Sequence, residues 1–509
     1  MNDSANDFMS AVQSTLKETE NIIQTENGAN ALKTSGKALL DLHFKVSSLR
    51  RVDDETIVNL FNAAYEEDAK LALKWLFYAR DVRQGLGERR LFRVILRSLA
   101  EKIERIHLML PMVAELGRFD DLLSLLDTPA EKQVITFIRD QFTLDLKNLA
   151  VQKPTSLLAK WLPSANASSK KSRETALKLI KALGLTERKY RKLLSSLRAY
   201  IDVVERKMSA NSWGEINYSA VPSKAGLTYR NAFSKHDKER YGEFIKKVTS
   251  GEAKINAGTL FPHDVIHAYK HNGISCWSEV EVDPAIEAMW NNLPNTISEG
   301  KNILVVRDGS GSMQSSVGGG SKVSALECST AMAIYFGERM KGAFKDKFIT
   351  FSAAPKMVDF SKKLTLADKL NFIYKFDDYT NTNVHAVFQL ILRAAKDKNL
   401  TQEDMPEAIL MLSDMEFDSG CEHWGQTLFQ SISKEFAQAG YKLPRLIFWN
   451  VCSRTMNLPM DRNELGLTLV SGFSPNVAKM VLSGEIDPYK NLCEVLNVQR
   501  YSFVDSILP

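Results

Sequence analysis

The sequence predicts two parts: an α-helical repeat domain, followed by a doubly wound α/β domain. Three observations carry this. Between Lys37 and about Ala150 apolar residues recur at helical spacing, as in Ile57, Leu60, Phe61 and Ala64, the i, i+3, i+4, i+7 signature of a helix with one buried face. Beyond Gly300 the pattern changes to short apolar runs, Ile303–Val306, Lys347–Phe351, Ile409–Leu412 and Leu446–Val451, which is how buried parallel strands read. The first of these runs, within KNILVVRDGSGSM (301–313), closes on Asp308, Ser310 and Ser312. An acid and two hydroxyls at the carboxyl end of a strand lie where open α/β sheets hold their ligands.

The chain has 509 residues, 44% hydrophobic and 25% charged, with a net charge of +5. That length predicts two or three domains with sizeable cores. The overall charge is too small to imply nucleic acid, so its distribution matters more. Five cysteines (Cys276, Cys328, Cys421, Cys452 and Cys493) are scattered with no C-x-x-C, as expected of reduced thiols in an intracellular protein. The first residues, MNDSANDFMSAVQ, lack a basic region followed by an apolar one, and no run of 18 apolar residues occurs. The expectation is a cytoplasmic protein with no signal peptide and no membrane span.

Taken in order, residues 1–35 are polar and expected to be weakly ordered, residues 36–300 form the helical domain, and residues 301–509 form the α/β domain with a C-terminal tail. Successive apolar helices joined by short polar turns suggest helix pairs stacked as a HEAT-like solenoid or ring, although no strict period is visible. Two loops stand out in this part, ARDVRQGLGERR (79–90) and LGRFDDL (116–122). Residues 153–200 are the strongest charge feature. Lys160, Lys170, Lys171, Arg173, Arg188, Lys189, Arg191 and Lys192 belong to a run opposed by only Glu174 and Glu187, with Trp161, Tyr190 and Tyr200 interleaved. Such a segment attracts polyanions, and its aromatic rings suit base stacking. The plainer reading is a helix pair with a solvated basic face packed through Leu157, Leu158, Leu177, Ile180, Leu193 and Leu194. Arg230, Lys235, His236 and Arg240 make a second basic patch on an expected helix.

His263, His267 and His271 recur every four residues. This places them on roughly one helical face, which rotates by about 40° per four residues. There is no H-E-x-x-H, so polar surface or phosphate contact is the stronger expectation and zinc the weaker one. The segment 283–300 reads as a last helix and a linker ending at Gly300.

In the second half, strand Ile303–Val306 leads through the glycine-rich loop Gly318–Gly320 to a helix from about Ser324 to Met340. That loop lacks G-K-S/T and is not a P-loop. Lys347–Phe351 is the next strand and Met357–Phe360 a short antiparallel edge. Helices follow near Leu366–Tyr374 and Asn383–Ala395, then strands Ile409–Leu412, Leu446–Val451 and Thr468–Val470. Residues 487–506 are expected to close the fold as a small tail. Thr382 opens one of those helices and Asp414 ends an apolar run.

Oxygen ligands from Asp308, Ser310, Ser312, Thr382 and Asp414 would suit a hard divalent cation, Mg²⁺ or else Mn²⁺ or Ca²⁺. Competing motifs fail: a phosphatase D-x-D needs Asp where Ser310 stands, and an EF-hand needs an acid where Gly319 stands. No G-x-S-x-G elbow is present and Ser310 has no His–Asp pair in the required order. A binding protein is therefore expected, not an enzyme.

An acid with two hydroxyls, then a hydroxyl, then an acid, is the order of a metal-ion-dependent adhesion site. Over roughly Asn302 to Ser483 the sequence resembles a von Willebrand factor A domain, with all five site positions matched. The loops at 79–90 and 116–122 resemble the helical-repeat (TROVE) module of the Ro autoantigen family, in which helical repeats are closed by such a domain. The segments PTSLLAKWLPSANASSK and LSSLRAYIDVVERKMSANSWGEINYSAVPSKA resemble an uncharacterised family that joins this region to the same kind of domain. The resemblance implies an RNA-binding protein of Ro type, taking single-stranded ends or structured small RNA on its basic helices. It also implies a metal site that captures a ligand or a partner's carboxylate. The alternative is a metal-dependent protein-interaction scaffold without RNA.

Overall fold

The computed structural model describes residues 21–24, 30–270, 279–297, 302–352, 354–377, 384–415, 433–452, 456, 467–472, 474, 476 and 487–508. They form a helical region and a mixed α/β region, in two compact units. One comprises residues 1–72 and 260–498; the other comprises residues 73–259 and 499–509.

The first unit is built on a six-stranded sheet. Two short N-terminal strands, β1 (Ile22–Gln24) and β2 (Asn30–Leu32), pair separately and antiparallel. The sheet consists of β3 (Ile303–Asp308), β4 (Lys347–Phe351), β5 (Met357–Asp359), β6 (Ala408–Ser413), β7 (Arg445–Asn450) and β8 (Leu467–Ser471), in the order β5-β4-β3-β6-β7-β8. Among the described strands of this sheet, β4 and β5 alone pair antiparallel. The chain builds outward from β3 to one side, then returns to build the other side from β6. The order therefore reverses between β3 and β6, the kind of crevice in which such sheets bind ligands.

Helices cover both faces. Phe388, Ile391 and Leu392 of the helix Val384–Lys398 share a core with Val306, Met411 and Phe448. Phe336 of the helix Ala325–Arg339 lies 5.8 Å from Trp449, the neighbour of Phe448 in β7. Successive strand residues point to opposite faces, so these are two different cores. The helix Ala325–Arg339 starts at a capping box, Ser324 with Glu327, and is buried at every position from Ala325 to Gly337. A helix apolar or small all round has neighbours all round. Its second cover is residues 262–270 and 279–297. Tyr335 donates to Pro294 O, Trp290 Nε1 donates to Glu338, and the helix Pro262–Lys270 packs across it.

The compact units do not follow the expected boundaries at residues 36 and 301. Residues 38–50 also belong to the sheet unit: Phe44 is in its core, Asn450 Nδ2 donates to Phe44 O, and Ser471 Oγ donates to Ser47 Oγ at 3.0 Å. Within residues 1–35, the described strands β1 and β2 pair antiparallel. Just after β2, Ser35 N donates to Asp41 at 2.8 Å, as do both the Thr34 and Ser35 hydroxyls. The expected tail is also divided. The helix Pro488–Leu496 stays with the sheet unit, and residues 499–508 go with the helical one.

The helical unit contains Arg90–Leu99, Glu131–Ala150, Lys170–Leu183, Glu187–Tyr200, Ser223–His236 and Lys238–Thr249. The pair at 170–200 shows why the chain turns there. Ser169 and Thr186 cap the two N-termini, and Gly184, at φ 69°, takes the left-handed conformation that ends the first helix.

The two loops singled out from sequence meet through Arg80 at an ionic cluster around the buried Asp121, while Arg83, Arg89 and Arg90 are exposed. Asp121, fully buried, binds Arg80 Nε at 2.8 Å and Arg93 Nε at 2.6 Å, and Asp120 binds Arg93 and Arg118. A Cβ on Gly117 would stand 2.6 Å from Asp121 Oδ2, so a side chain there would have to displace the carboxylate. Asp81 is held by Arg500 and by Tyr501 Oη at 3.2 Å, which draws the C-terminal residues into this unit.

His43, buried in the sheet unit, is pushed down to about 4 by desolvation. It is neutral when folded at neutral pH, whereas the unfolded chain takes up a proton below about pH 6.5. Its contribution is complete above that pH and is lost as pH falls toward 4, amounting to about 3 kcal/mol. His43→Gln should flatten this acid limb: the difference in melting temperature between pH 7 and pH 5 should shrink relative to wild type. An unchanged difference would remove His43 as its source.

Candidate functional site

The sheet brings the acid ends of β3 and β6 side by side. Arg307 pairs with Leu412 in register, so Asp308 stands level with Ser413, one residue before Asp414. Asp308 is fully buried and Asp414 nearly so. Asp308 Oδ1 accepts from Ser310 N at 2.9 Å and Oδ2 accepts from Ser413 Oγ at 2.6 Å. Ser413 Oγ itself accepts from Met415 N at 3.1 Å, with Met415 in the left-handed region at φ 64°. That bond directs the hydroxyl proton at Asp308. Burial pushes the Asp308 carboxyl above the usual carboxylate range, opposed by the bonds from Ser413 and Ser310 and by the Arg307 charge. A nearby divalent cation would favour the ionised form further.

Ser310 Oγ and Ser312 Oγ lie 3.0 Å apart on the loop after β3. Neighbouring ligands of an octahedron with bonds of about 2.0–2.1 Å are about 2.9 Å apart, so the pair fits two adjacent positions around Mg²⁺. Each Asp308 oxygen has one bond shown and retains acceptor capacity for a water on such an ion. Among the described residues no three His, Cys, Asp or Glu converge as metal ligands. The donor set here is of the other kind, two carboxylates with hydroxyls, suited to a hard ion.

Thr382 and residues 378–381 lie outside the described residues; the described chain before them ends at Asp377. Arg307, fully buried in β3, binds Asp377 Oδ1 at 2.5 Å and Thr330 Oγ1 at 3.0 Å. A Cβ on Gly309 would lie 3.1 Å from the same Asp377 oxygen. Residue 377 thus passes against the Asp308 loop, five residues before Thr382. Sequence reading missed Arg307, Asp377 and Ser413. The one available signal was a charged residue inside an apolar strand, where an unpaired charge is not tolerated.

The histidines at 263 and 267 do not form a ligand set. His263 is buried, and His267 Nδ1 meets the buried Glu327 at 2.8 Å; His271 lies outside the described residues. The Glu327 carboxylate also caps its own helix, so the pair ties the helix Pro262–Lys270 to the helix Ala325–Arg339.

The helical unit sorts the expected nucleic-acid contacts into two groups. Lys171, Arg188, Lys189, Arg191 and Lys192 are exposed and make no ion pair with a described residue, and Lys170 has only a 4.0 Å contact to Glu174. Lys235 is also exposed, and Lys160 is half-buried beside the Trp161 ring. Others are occupied. Arg230 is buried and donates to Leu227 O. Arg173 donates to Ala167 O and Ser168 O. Arg240 binds Asp237, Trp213 O and Ile216 O, and His236 stacks on Trp213 at 4.4 Å.

The aromatic expectation is corrected as well. Tyr190 is wholly buried and donates to Pro163 O, so it cannot stack on a base. Trp161 carries Arg118 on its ring at 3.9 Å, and Tyr200 donates to Lys153 O. What remains is a cleft of about 520 Å³ between residues 164–166 and the helix Glu187–Tyr200, lined by Arg188, Arg191, Lys192, Arg198 and Arg206.

Residues 302–500 match a family described as a domain of unknown function (DUF7788). Residues 25–103 and 132–302 match a second such domain (DUF2828). The chain is 26% identical over 518 residues to an uncharacterized protein of Acanthamoeba polyphaga mimivirus, covering 94% of this chain and 87% of that protein. Among the described residues no helix is long and apolar enough to cross a membrane.

Ser413→Ala removes the hydroxyl that holds Asp308 Oδ2. In a site that holds Mg²⁺ through Asp308, the affinity read by isothermal titration should fall about 10- to 100-fold, as for other residues supporting a metal ligand. An unchanged affinity would show that Asp308 needs no such support.

Proposed function

We propose that the chain is a non-enzymatic RNA-binding protein of Ro type whose sheet unit holds a divalent cation in a von Willebrand factor A-like, adhesion-type site. The observation that carries the metal half is the pair of Ser310 and Ser312 hydroxyls 3.0 Å apart beside the buried Asp308, at the reversal point of the sheet. Asp308, Ser310, Ser312 and Asp414, with Thr382 from the following loop, would hold Mg²⁺, Mn²⁺ or Ca²⁺. The ion would supply an open coordination position for a carboxylate or phosphate oxygen. Ser310 Oγ is partnered by Ser312 rather than by a histidine, which supports binding over nucleophilic chemistry.

The RNA half is supported by the exposed cations Lys171, Arg188, Lys189, Arg191 and Lys192, which make no ion pair with a described residue. Cations without protein partners are free to displace counterions from phosphates. Under this reading the helices stack in the HEAT-like, TROVE manner, and Lys170, Lys171, Arg188, Lys189, Arg191 and Lys192 lead the contact in the cytoplasm. The alternative, a metal-dependent protein scaffold, draws on the metal geometry alone.

Crosslinking and sequencing of bound RNA from cells separates them. Wild type should yield RNA, and a variant with those six residues neutralised should lose most of it. Equal recovery from both would overturn the RNA reading. Asp308→Ala should abolish Mg²⁺ binding by calorimetry; retained binding would overturn the metal reading. Recovery of a protein partner that depends on Asp308, with no RNA, would favour the scaffold.

A further inference from the structure

We propose that the cleft beside the helix Glu187–Tyr200 receives a dianionic phosphate monoester, the terminal phosphate of an RNA strand or of a free nucleotide. Its placement on an RNA-binding face rests on the reading above; the recognition of a doubly charged phosphate does not.

The cleft lacks acids. Several other cations of this unit are matched by them: Arg80, Arg93 and Arg118 face Asp120 and Asp121, and Lys178 binds Asp127 and Glu131. In the cleft, Arg188, Arg191, Lys192 and Arg206 have no ion pair with a described residue, and no lining residue is acidic. Concentrated like charge with no internal counter-charge focuses potential on an anion.

The cleft is also built. The half-buried Arg198 spends its fork on Ala159 O at 2.8 Å, Leu162 O at 2.8 Å and Ser164 Oγ at 2.7 Å. With the Tyr190 bond to Pro163 O, this fastens residues 159–164 against the helix as a fixed wall. Ser164 Oγ accepts from Arg198 and so keeps its own proton to donate. Ser195 and Asn166 add further neutral donors.

Size and charge then select the ligand. A volume of about 520 Å³ is that of a small-molecule site, not of a groove tracking a long strand. A monoester carries about −1.5 to −2 charges and three acceptor oxygens at one point. A diester carries a single charge per nucleotide, spread along the chain, and is better matched by the open face that holds Lys170, Lys171 and Lys189.

The test uses the full chain and one short single-stranded RNA sequence, internally labelled, with a 5′-phosphate, a 3′-phosphate or hydroxyls at both ends. Affinity is read by fluorescence anisotropy, and binding of AMP against adenosine by equilibrium dialysis. One phosphorylated end should bind about tenfold tighter than the hydroxyl-ended strand, and AMP should bind where adenosine does not. The exposed-site variant Arg191→Ser with Arg206→Ser should erase that preference, with an unchanged melting curve as the folding control. Equal affinity for all three strands, with no AMP binding, would overturn the proposal; salt-dependent binding of those strands would leave the RNA reading standing. AMP binding without binding of any strand would uphold the phosphate site and remove the RNA reading.

Discussion

A carboxylate with no exposure to solvent, at the end of the central strand, constrains the rest of the sheet unit. Asp308 can be buried there because Ser310 N and the Ser413 hydroxyl bond its two oxygens and because Arg307 sits next to it in the chain. Each support makes a further demand. Ser413 must be in register on β6, which fixes Asp414 beside it. Arg307, buried with it, needs Asp377, which brings the next loop against Gly309. Burying an ion is tolerated only with a good partner and further hydrogen bonds, so one acid organises three segments far apart in sequence.

The same rule divides the cations of the helical unit. Arg80, Arg93, Arg118, Arg173, Arg198, Arg230 and Arg240 are tied to carboxylates or backbone carbonyls and act as structural cross-links. Arginine suits this work because its planar fork makes several bonds at once. The exposed cations of the helix Glu187–Tyr200 have no such duty. Function is sought among charges that the fold leaves unmatched, and a count of basic residues does not find them.

Local elements were legible because each is dictated by near neighbours. The strand Lys347–Phe351 and the edge at Met357 lie where β-branched and aromatic alternation puts them, and the helix Ala325–Arg339 starts at the S-x-x-E capping box visible in the sequence. The D-x-S-x-S loop fell at the end of β3 for the same reason. A linker-like composition at Gly300 says nothing about which surface the preceding helix covers. The clue was the helix Ala325–Arg339 itself, small and apolar on every side, which needs a second cover such as residues 262–270 and 279–297 provide.

By itself, then, the sequence determined the order of helices and strands, the oxygen-bearing side chains at strand ends and the concentration of positive charge at 153–200, because periodicity, capping and composition are local properties. Tertiary structure alone decided that β3 and β6 are neighbours, that Ser413 and Arg307 serve Asp308, that Tyr190 is core, and which cations are free. Those outcomes depend on contacts between residues tens to hundreds of positions apart, and burial assigns them only once the chain has closed on itself.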